Sequence, residues 1–421
     1  MCVDHCFEKT LNYTSPGHGG WGIIRVAALV PESHLMFICP SACFRHGALG
    51  AIQHGYKDRT SYLYITPADV VTGYDNVILE GAEELLSEDD TIKVLFLFVP
   101  CIDDFIGTDI DSLARQVEQK HPGITVRACH MNPIAAETKK PPLVTTIQSM
   151  LSTIQTEEPA SELAVNLLGS FAPIDPESEL FSFFAAYSCK VRQMADYDRH
   201  TDFCELGKSK YNLVTCPAGK FASRYMDKHF GTVSVISMTS YEIEEIREIY
   251  RQWQKLLETD SCALTSFDLE AEEAKTRAAI LQTKETLKDI PILVSDSAVV
   301  RPFSLAKALL GYGFNVTEVI AQDALEGDKE AYQYLLENYP SITITQPRHH
   351  RSARRENFST HAVAIGFEGA YLRQSDYVVD LSADEGMYGF QGIRRLMDML
   401  EKAVTQKADL RKMIEEYGAV V

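Results

Sequence analysis

Lys93-Val-Leu-Phe-Leu-Phe-Val-Pro-Cys101 is the stretch on which the fold turns. Six apolar residues follow one another with no polar alternation, and a cysteine closes the run after a proline. Such a run suits a strand buried on both faces, as in a parallel sheet, and not a half-exposed strand. Working outward, similar runs recur at Ile124–Met131, Ala164–Phe171, Tyr211–Pro217, Val233–Met238, Pro291–Ser295, Phe314–Ala321, Ser341–Gln346, His361–Phe367 and Tyr377–Leu381. Amphipathic helical patterns lie between them, clearest over Tyr241–Leu257 and Leu269–Lys288. Strand and helix in alternation indicate an α/β fold built on parallel sheets with right-handed crossovers.

The chain has 421 residues, and a single core rarely serves more than about 250–300. Two polar breaks suggest where it divides. Glu157–Glu162 (EEPASE) follows the helical Leu143–Ile154, and a helix gives way to a strand near Asp289–Pro291. Three α/β domains are therefore expected, over residues 1–160, 161–290 and 291–421, with a C-terminal helix from Gly392 returning towards the first. Lys+Arg 40 against Asp+Glu 59 leaves a formal net charge of −19, which argues against nucleic acid or an anionic membrane as the main partner. No run of about 18 apolar residues is present, so no membrane span is expected. Asp4, His5 and Glu8 stand where an export signal needs basic and then apolar residues. A cytoplasmic setting follows, with the ten cysteines as reduced thiols or metal ligands.

The sequence contains no phosphate-binding loop, zinc-protease helix, nucleophile elbow or C-x-x-C pair. Gly17-His-Gly-Gly-Trp-Gly22 matches G-x-G-x-x-G in form, but the polar Asn12–Pro16 precedes it where a dinucleotide site needs a strand. A loop that lets backbone approach something bulky fits better. Cysteines carry more information. Cys39 and Cys43 bracket Pro40-Ser-Ala, and Cys101 ends the strongest strand, at the sheet edge where ligands of such folds bind. Thiolates are the natural ligands of iron–sulfur clusters. Ordinary burial of free thiols is the competing reading.

Thr14–Gly22, Pro40-Ser-Ala-Cys43 and Val99-Pro-Cys-Ile-Asp-Asp-Phe-Ile-Gly-Thr-Asp-Ile-Asp111 together resemble the component 1 subunits of nitrogenase and nitrogenase-like enzymes. Further matches follow in the family's order. They are Asn212–Cys216 with Ser223–Met226 and His229–Gly231, Val300-Arg-Pro302 with Leu309–Phe314, and Tyr388-Gly-Phe-Gln-Gly392. The resemblance implies three Rossmann-like domains and pairing with a second component 1 subunit, identical or paralogous, as a dimer or heterotetramer. It also implies an iron–sulfur cluster at that subunit interface, a separate ATP-dependent iron–sulfur reductase as electron donor, and a small-molecule substrate.

By position the resemblance carries cluster ligation onto Cys43 and Cys101. A third family cysteine would fall near Gly17 and is missing, so His18 or Cys39 is the candidate replacement. A 4Fe-4S cluster is favoured over the eight-iron cluster. Cys216 matches the thiolate that anchors the large cofactor in the catalytic subunit, while that cofactor's histidine partner would fall near Val379-Asp380, where no histidine stands. Two-ended binding of the standard molybdenum cofactor is not expected. The function implied is electron transfer from the reductase, through the interface cluster, to a substrate. A scaffold for metallocofactor assembly and a metal-free binding module on the same fold are the alternatives.

Gln346–Arg355 (QPRHHRSARR) concentrates Arg348, Arg351, Arg354 and Arg355 after an expected strand. Guanidinium groups placed so could hold a carboxylate-bearing substrate by paired hydrogen bonds; docking of a neighbouring subunit is the other reading. Cys129-His-Met-Asn132 ends another strand of the first domain, where packing and ligation are both open for Cys129. Capping and dipole complementation account for Asp103, Asp104 and Asp109 at a helix start.

Overall fold

The computed structural model describes residues 22–132, 141–156, 159–170, 172–260, 265–349, 352 and 361–416. Three parallel sheets organise them. The first holds β1 (Ser33–Cys39), β2 (Thr60–Tyr64), β3 (Val94–Val99) and β4 (Thr125–His130) in the order β2-β1-β3-β4. The second holds β5 (Glu162–Leu168), β6 (Lys190–Gln193), β7 (Ser209–Val214) and β8 (Val233–Ile236) in the order β6-β5-β7-β8. The third holds β9 (Ile292–Ser295), β10 (Val316–Ile320), β11 (Thr343–Thr345), β12 (Val363–Ile365) and β13 (Tyr377–Val379) in the order β11-β10-β9-β12-β13. Every apolar run singled out above overlaps one of these strands. β1, β2 and β6 were not among the expected ones.

β3 shows why the unbroken apolar run is needed. Its side chains alternate between faces, so Val94, Phe96 and Phe98 join one core with Leu35, Phe37 and Ile147. Leu95, Leu97 and Val99 join another with Ile78, Ala82, Leu113 and Val117 on covering helices. All six residues are fully buried. A buried Leu or Phe contributes about 1.5–3 kcal/mol relative to exposure, so a polar residue on either face would be costly.

The chain forms two compact units. One comprises residues 21–171 and 190–236, with the first two sheets; the other comprises 172–189 and 237–421, with the third. Within the first unit the helix Pro142–Leu151 packs on β4 and on the helices Gly22–Ala28 and Gly219–Phe230, and a single core runs from Phe37 and Phe98 to Leu168 and Met226. Within the second, the helix Gly389–Thr405 packs on the helix Leu269–Leu287 and beside Glu179–Ala186. No helix among the described residues is long and apolar enough to cross a membrane.

Strand order matters for chemistry. In each sheet the chain leaves a central strand towards one edge and later returns to its other side. The reversal falls between β1 and β3, between β5 and β7, and between β9 and β12. Crossovers diverge there and open a crevice beyond the carboxyl ends of the two strands, which is where ligands of open α/β sheets bind.

Candidate functional site

Cys43 and Cys101 stand at the crevice of the first sheet. β1 and β3 are neighbours in register, with Phe37 beside Phe98. Each strand ends at a proline, which cannot donate to a sheet ladder and so stops it. Pro40 and Pro100 are extended and form the N-caps of the helices Ser41–Gln53 and Cys101–Ile106. Cys101 thus opens its helix, and Cys43 lies in the first turn of the other, its N–H donating to Pro40 O at 3.0 Å. Both thiols are half-buried. Burial, and then the charge of Cys101, pushes the Cys43 thiol up. A thiol whose ionisation is opposed by burial and by a neighbouring thiol suits a shared cation, because a bound metal inverts that electrostatic balance.

Cys39 is the last residue of β1, 1% exposed, with its thiol pushed to about 12 by burial and then by Cys43. It faces the core beside Leu35 and Phe37. Stacked rings wall this region: Phe37 on Phe98 with centroids 4.8 Å apart, and Phe44 on Tyr62 at 4.3 Å. His18 lies outside the described residues. Beyond the carboxyl ends of β2 and β3, Tyr64, Phe105 and Ile106 are exposed, Phe105 by 72%.

Asp103 and Asp104 lie in the first turn of the helix Cys101–Ile106, where dipole complementation places them, but the capping role divides the three acids. Asp109 does cap a helix, accepting from Ser112 N at 2.9 Å. Asp103 does not: its Oδ2 lies 3.4 Å from His130 Nδ1, across the ends of β3 and β4. The Asp104 carboxylate accepts from Asn132 Nδ2 at 2.6 Å. The hydrogen bond to Asp103 raises the pKa of His130, against burial. Cys129 is fully buried in β4, and burial pushes its thiol up.

The second sheet repeats the arrangement with one thiol. Cys216 follows β7 and donates through Sγ–H to Gly169 O, which follows β5, at 3.1 Å. Close approach is built in: a Cβ on Gly219 would stand 2.5 Å from Leu168 O. Cys216 is half-buried and so accessible at this edge.

The third sheet opens into a cavity of about 480 Å³, lined in part by Asp296, Ser297, Gln322, Asp323, Phe367 and Ser382. Gly366, with φ +99°, leaves room beside it; a Cβ there would stand 2.9 Å from Ala298 Cβ and 3.0 Å from Ser297 Oγ. Residues 381–383 line the same cavity, just after the Val379-Asp380 position that lacks a histidine. Arg348 is half-buried and its N–H donates to Gln322 Oε1 at 3.3 Å, which brings the start of the basic segment to the cavity wall. Arg351, Arg354 and Arg355 lie outside the described residues. No local sequence signal pointed to this cavity, because its wall is assembled from four separate strand-end loops, three of which supply the polar groups.

The family described as nitrogenase component 1 type oxidoreductase matches residues 20–405. The chain is 22% identical over 330 residues to the nitrogenase iron-molybdenum cofactor biosynthesis protein NifE of Rhizobium meliloti (strain 1021), covering 74% of this chain and 66% of that one. It is 21% identical over 289 residues to NifE of Clostridium pasteurianum, covering 68% and 62%. The matches thus span just under two thirds of the length of these relatives. Among solved structures, nitrogenase Cp1 at pH 6.5 superposes with a TM-score of 0.71 at 13% identity, over 96% of this chain and 95% of the other. The pH 5 structure gives 0.61 at 14% identity, over 96% and 89%. The structural likeness supports the fold, and the family match over nearly the whole length supports more: the chain belongs to the nitrogenase component 1 type oxidoreductase family.

Proposed function

We propose that the chain is one component 1 subunit of a nitrogenase-like oxidoreductase complex and that Cys43 and Cys101 hold an iron–sulfur cluster shared with a second subunit. The observation that carries this reading is the pairing of the two half-buried thiols at the β1/β3 crevice, on strand ends fixed by Pro40 and Pro100. A cluster there would supply one-electron transfer. The chain's own residues present two thiolates, and Cys43 packs with Phe44 and Tyr62 against the core that holds Phe37. Cys39 is the candidate third thiol, set deeper in the same strand end. Tyr64, Phe105 and Ile106 leave apolar surface exposed around this edge, which suits burial by a partner carrying the remaining ligands. Electrons would come from an ATP-dependent iron–sulfur reductase, and the Cys216 and third-sheet crevices would receive the substrate or a further cofactor. Asp296 and Asp323 in the cavity wall oppose a carboxylate there, so Arg348 alone does not make it an anion pocket.

Similarity to two NifE proteins favours a second reading, a scaffold on which a metallocofactor is assembled. Cys216, with no histidine opposite, would then hold its cargo by one releasable bond. One experiment separates the readings. The anaerobically reconstituted complex is given reductase and ATP in one arm and a metal-free acceptor protein in the other. Cluster reoxidation with turnover and no transfer of iron is the expected result. Transfer to the acceptor without turnover supports the scaffold instead. A complex whose assembly and ligand binding ignore Cys43→Ala and Cys101→Ala is a metal-free module.

A further inference from the structure

We propose that Asp103, Asp104 and His130 bind one divalent first-row cation, of the Mn2+ or Fe2+ class, where the carboxyl ends of β3 and β4 meet. One donor atom from each residue lies within 4.8 Å of the others, and no other group of this kind occurs among the described residues. Ligands held about 2.0–2.2 Å from one ion stand roughly 3–3.5 Å apart, so closure requires side-chain movement of about an ångström. The second observation concerns Asp103. Its side chain is 2% exposed, and its Oδ1 is buried with no hydrogen-bond partner. His130 faces Oδ2 alone, and a buried carboxylate oxygen left without any partner is costly. Among the described residues, no Lys or Arg pairs with Asp103, Asp104 or Asp111.

The surrounding groups are arranged as an outer shell would be. His130 turns Nδ1 to Asp103 and Nε2 to Asp111 Oδ2, 3.8 Å away. Nδ1 is then the ligand, and the Asp111 carboxylate faces Nε2 beyond hydrogen-bond distance, near enough to take up the role of orienting carboxylate common behind metal-bound imidazoles once the side chains close on an ion. Asn132 fixes the Asp104 carboxylate from the other side. Asp104 is exposed and His130 half-exposed, which leaves an entry path and room for water as further ligands. Two carboxylates and one imidazole are a harder donor set than thiolates, suited to Mn2+ or Fe2+. The site therefore stands apart from Cys101, although both ride on the same short helix, and it does not depend on the cluster reading. Its occupation would tie that helix to β4.

The test uses the full chain, stripped of metal by chelator and titrated with Mn2+ alone, with free Mn2+ followed by its EPR signal. One Mn2+ per chain is expected in wild type and in the Cys43→Ser, Cys101→Ser double variant. Weakening of about tenfold or more is expected in His130→Ala and in Asp104→Asn; Asp104 is exposed, so its substitution leaves folding intact. No uptake by wild type, unaltered uptake by both Asp104→Asn and His130→Ala, or loss of uptake in the cysteine double variant would overturn the proposal.

Discussion

At Gly169 the backbone takes φ +115°, and a Cβ built there would stand 2.8 Å from Cys216 Sγ and 3.1 Å from Cys216 N. Gly169→Ala must therefore strain this turn and displace the thiol. A cost of about 1–3 kcal/mol is expected from the backbone alone, with faster reaction of Cys216 towards a thiol reagent; an unchanged urea midpoint and unchanged reactivity would contradict it. Asp384 makes a second prediction. Its carboxylate accepts from Val300 N at 2.8 Å and from Tyr241 Oη at 2.7 Å. Burial nevertheless pushes its pKa up to about 6, above the unfolded value of about 3.9. The folded state therefore holds this proton more tightly than the unfolded chain. The stabilisation is full below about pH 4 and is lost as pH rises through about 6, by about 3 kcal/mol in all. Denaturation at about pH 5 and about pH 7.5 should show wild type losing about 1.4 kcal/mol relative to Asp384→Asn. A difference that does not change with pH would refute this.

The helix Gly389–Thr405 is held at its start by one carboxylate. Glu179 accepts from Phe390 N at 2.6 Å, Gln391 N at 2.9 Å and Tyr250 Oη at 2.8 Å. This explains the glycine at 389 in Tyr388-Gly-Phe-Gln-Gly392. Gly389 has φ +62°, and a Cβ there would stand 2.1 Å from Glu179 Oε1. Hydrogen bonds to a charged group are worth about 1.5–3 kcal/mol each, so Glu179→Ala should cost about 3 kcal/mol or more in chemical denaturation. A loss below about 1 kcal/mol would mean that the carboxylate is not what holds the helix. Legibility differed by element. Central strands such as β3 and β7 declare themselves because both faces are buried, and the amphipathic helices Ile243–Leu257 and Leu269–Leu287 lie where their patterns place them. β6 (KVRQ) is a four-residue edge strand with too little apolar signal, and β2 (TSYLY) is only half-buried. β1 (SHLMFIC) mixes Leu and Met with polar ends. Cys43 and Cys101 were legible because each follows a strand and a proline. The meeting of Asp103 with His130 was not, since it depends on β3 and β4 being neighbours.

At the scale of the molecule, three parallel sheets each reverse strand order beside a central strand, and each reversal carries the chemistry available to it. The first presents Cys43 and Cys101, the second Cys216 against Gly169, and the third a cavity with Asp296, Ser297 and Gln322. The central claim is that the first of these holds an iron–sulfur cluster. Iron and acid-labile sulfide measured on the anaerobically reconstituted protein with its partner subunit test it most directly, in wild type, Cys43→Ser, Cys101→Ser and Cys189→Ser. Cys189 is buried in the other unit and serves as the control thiol. Equal iron and sulfide are expected in wild type and in Cys189→Ser, with loss of both in Cys43→Ser and in Cys101→Ser while circular dichroism stays unchanged. Iron and sulfide retained in full by both Cys43→Ser and Cys101→Ser, or absent from folded wild type, would contradict the account.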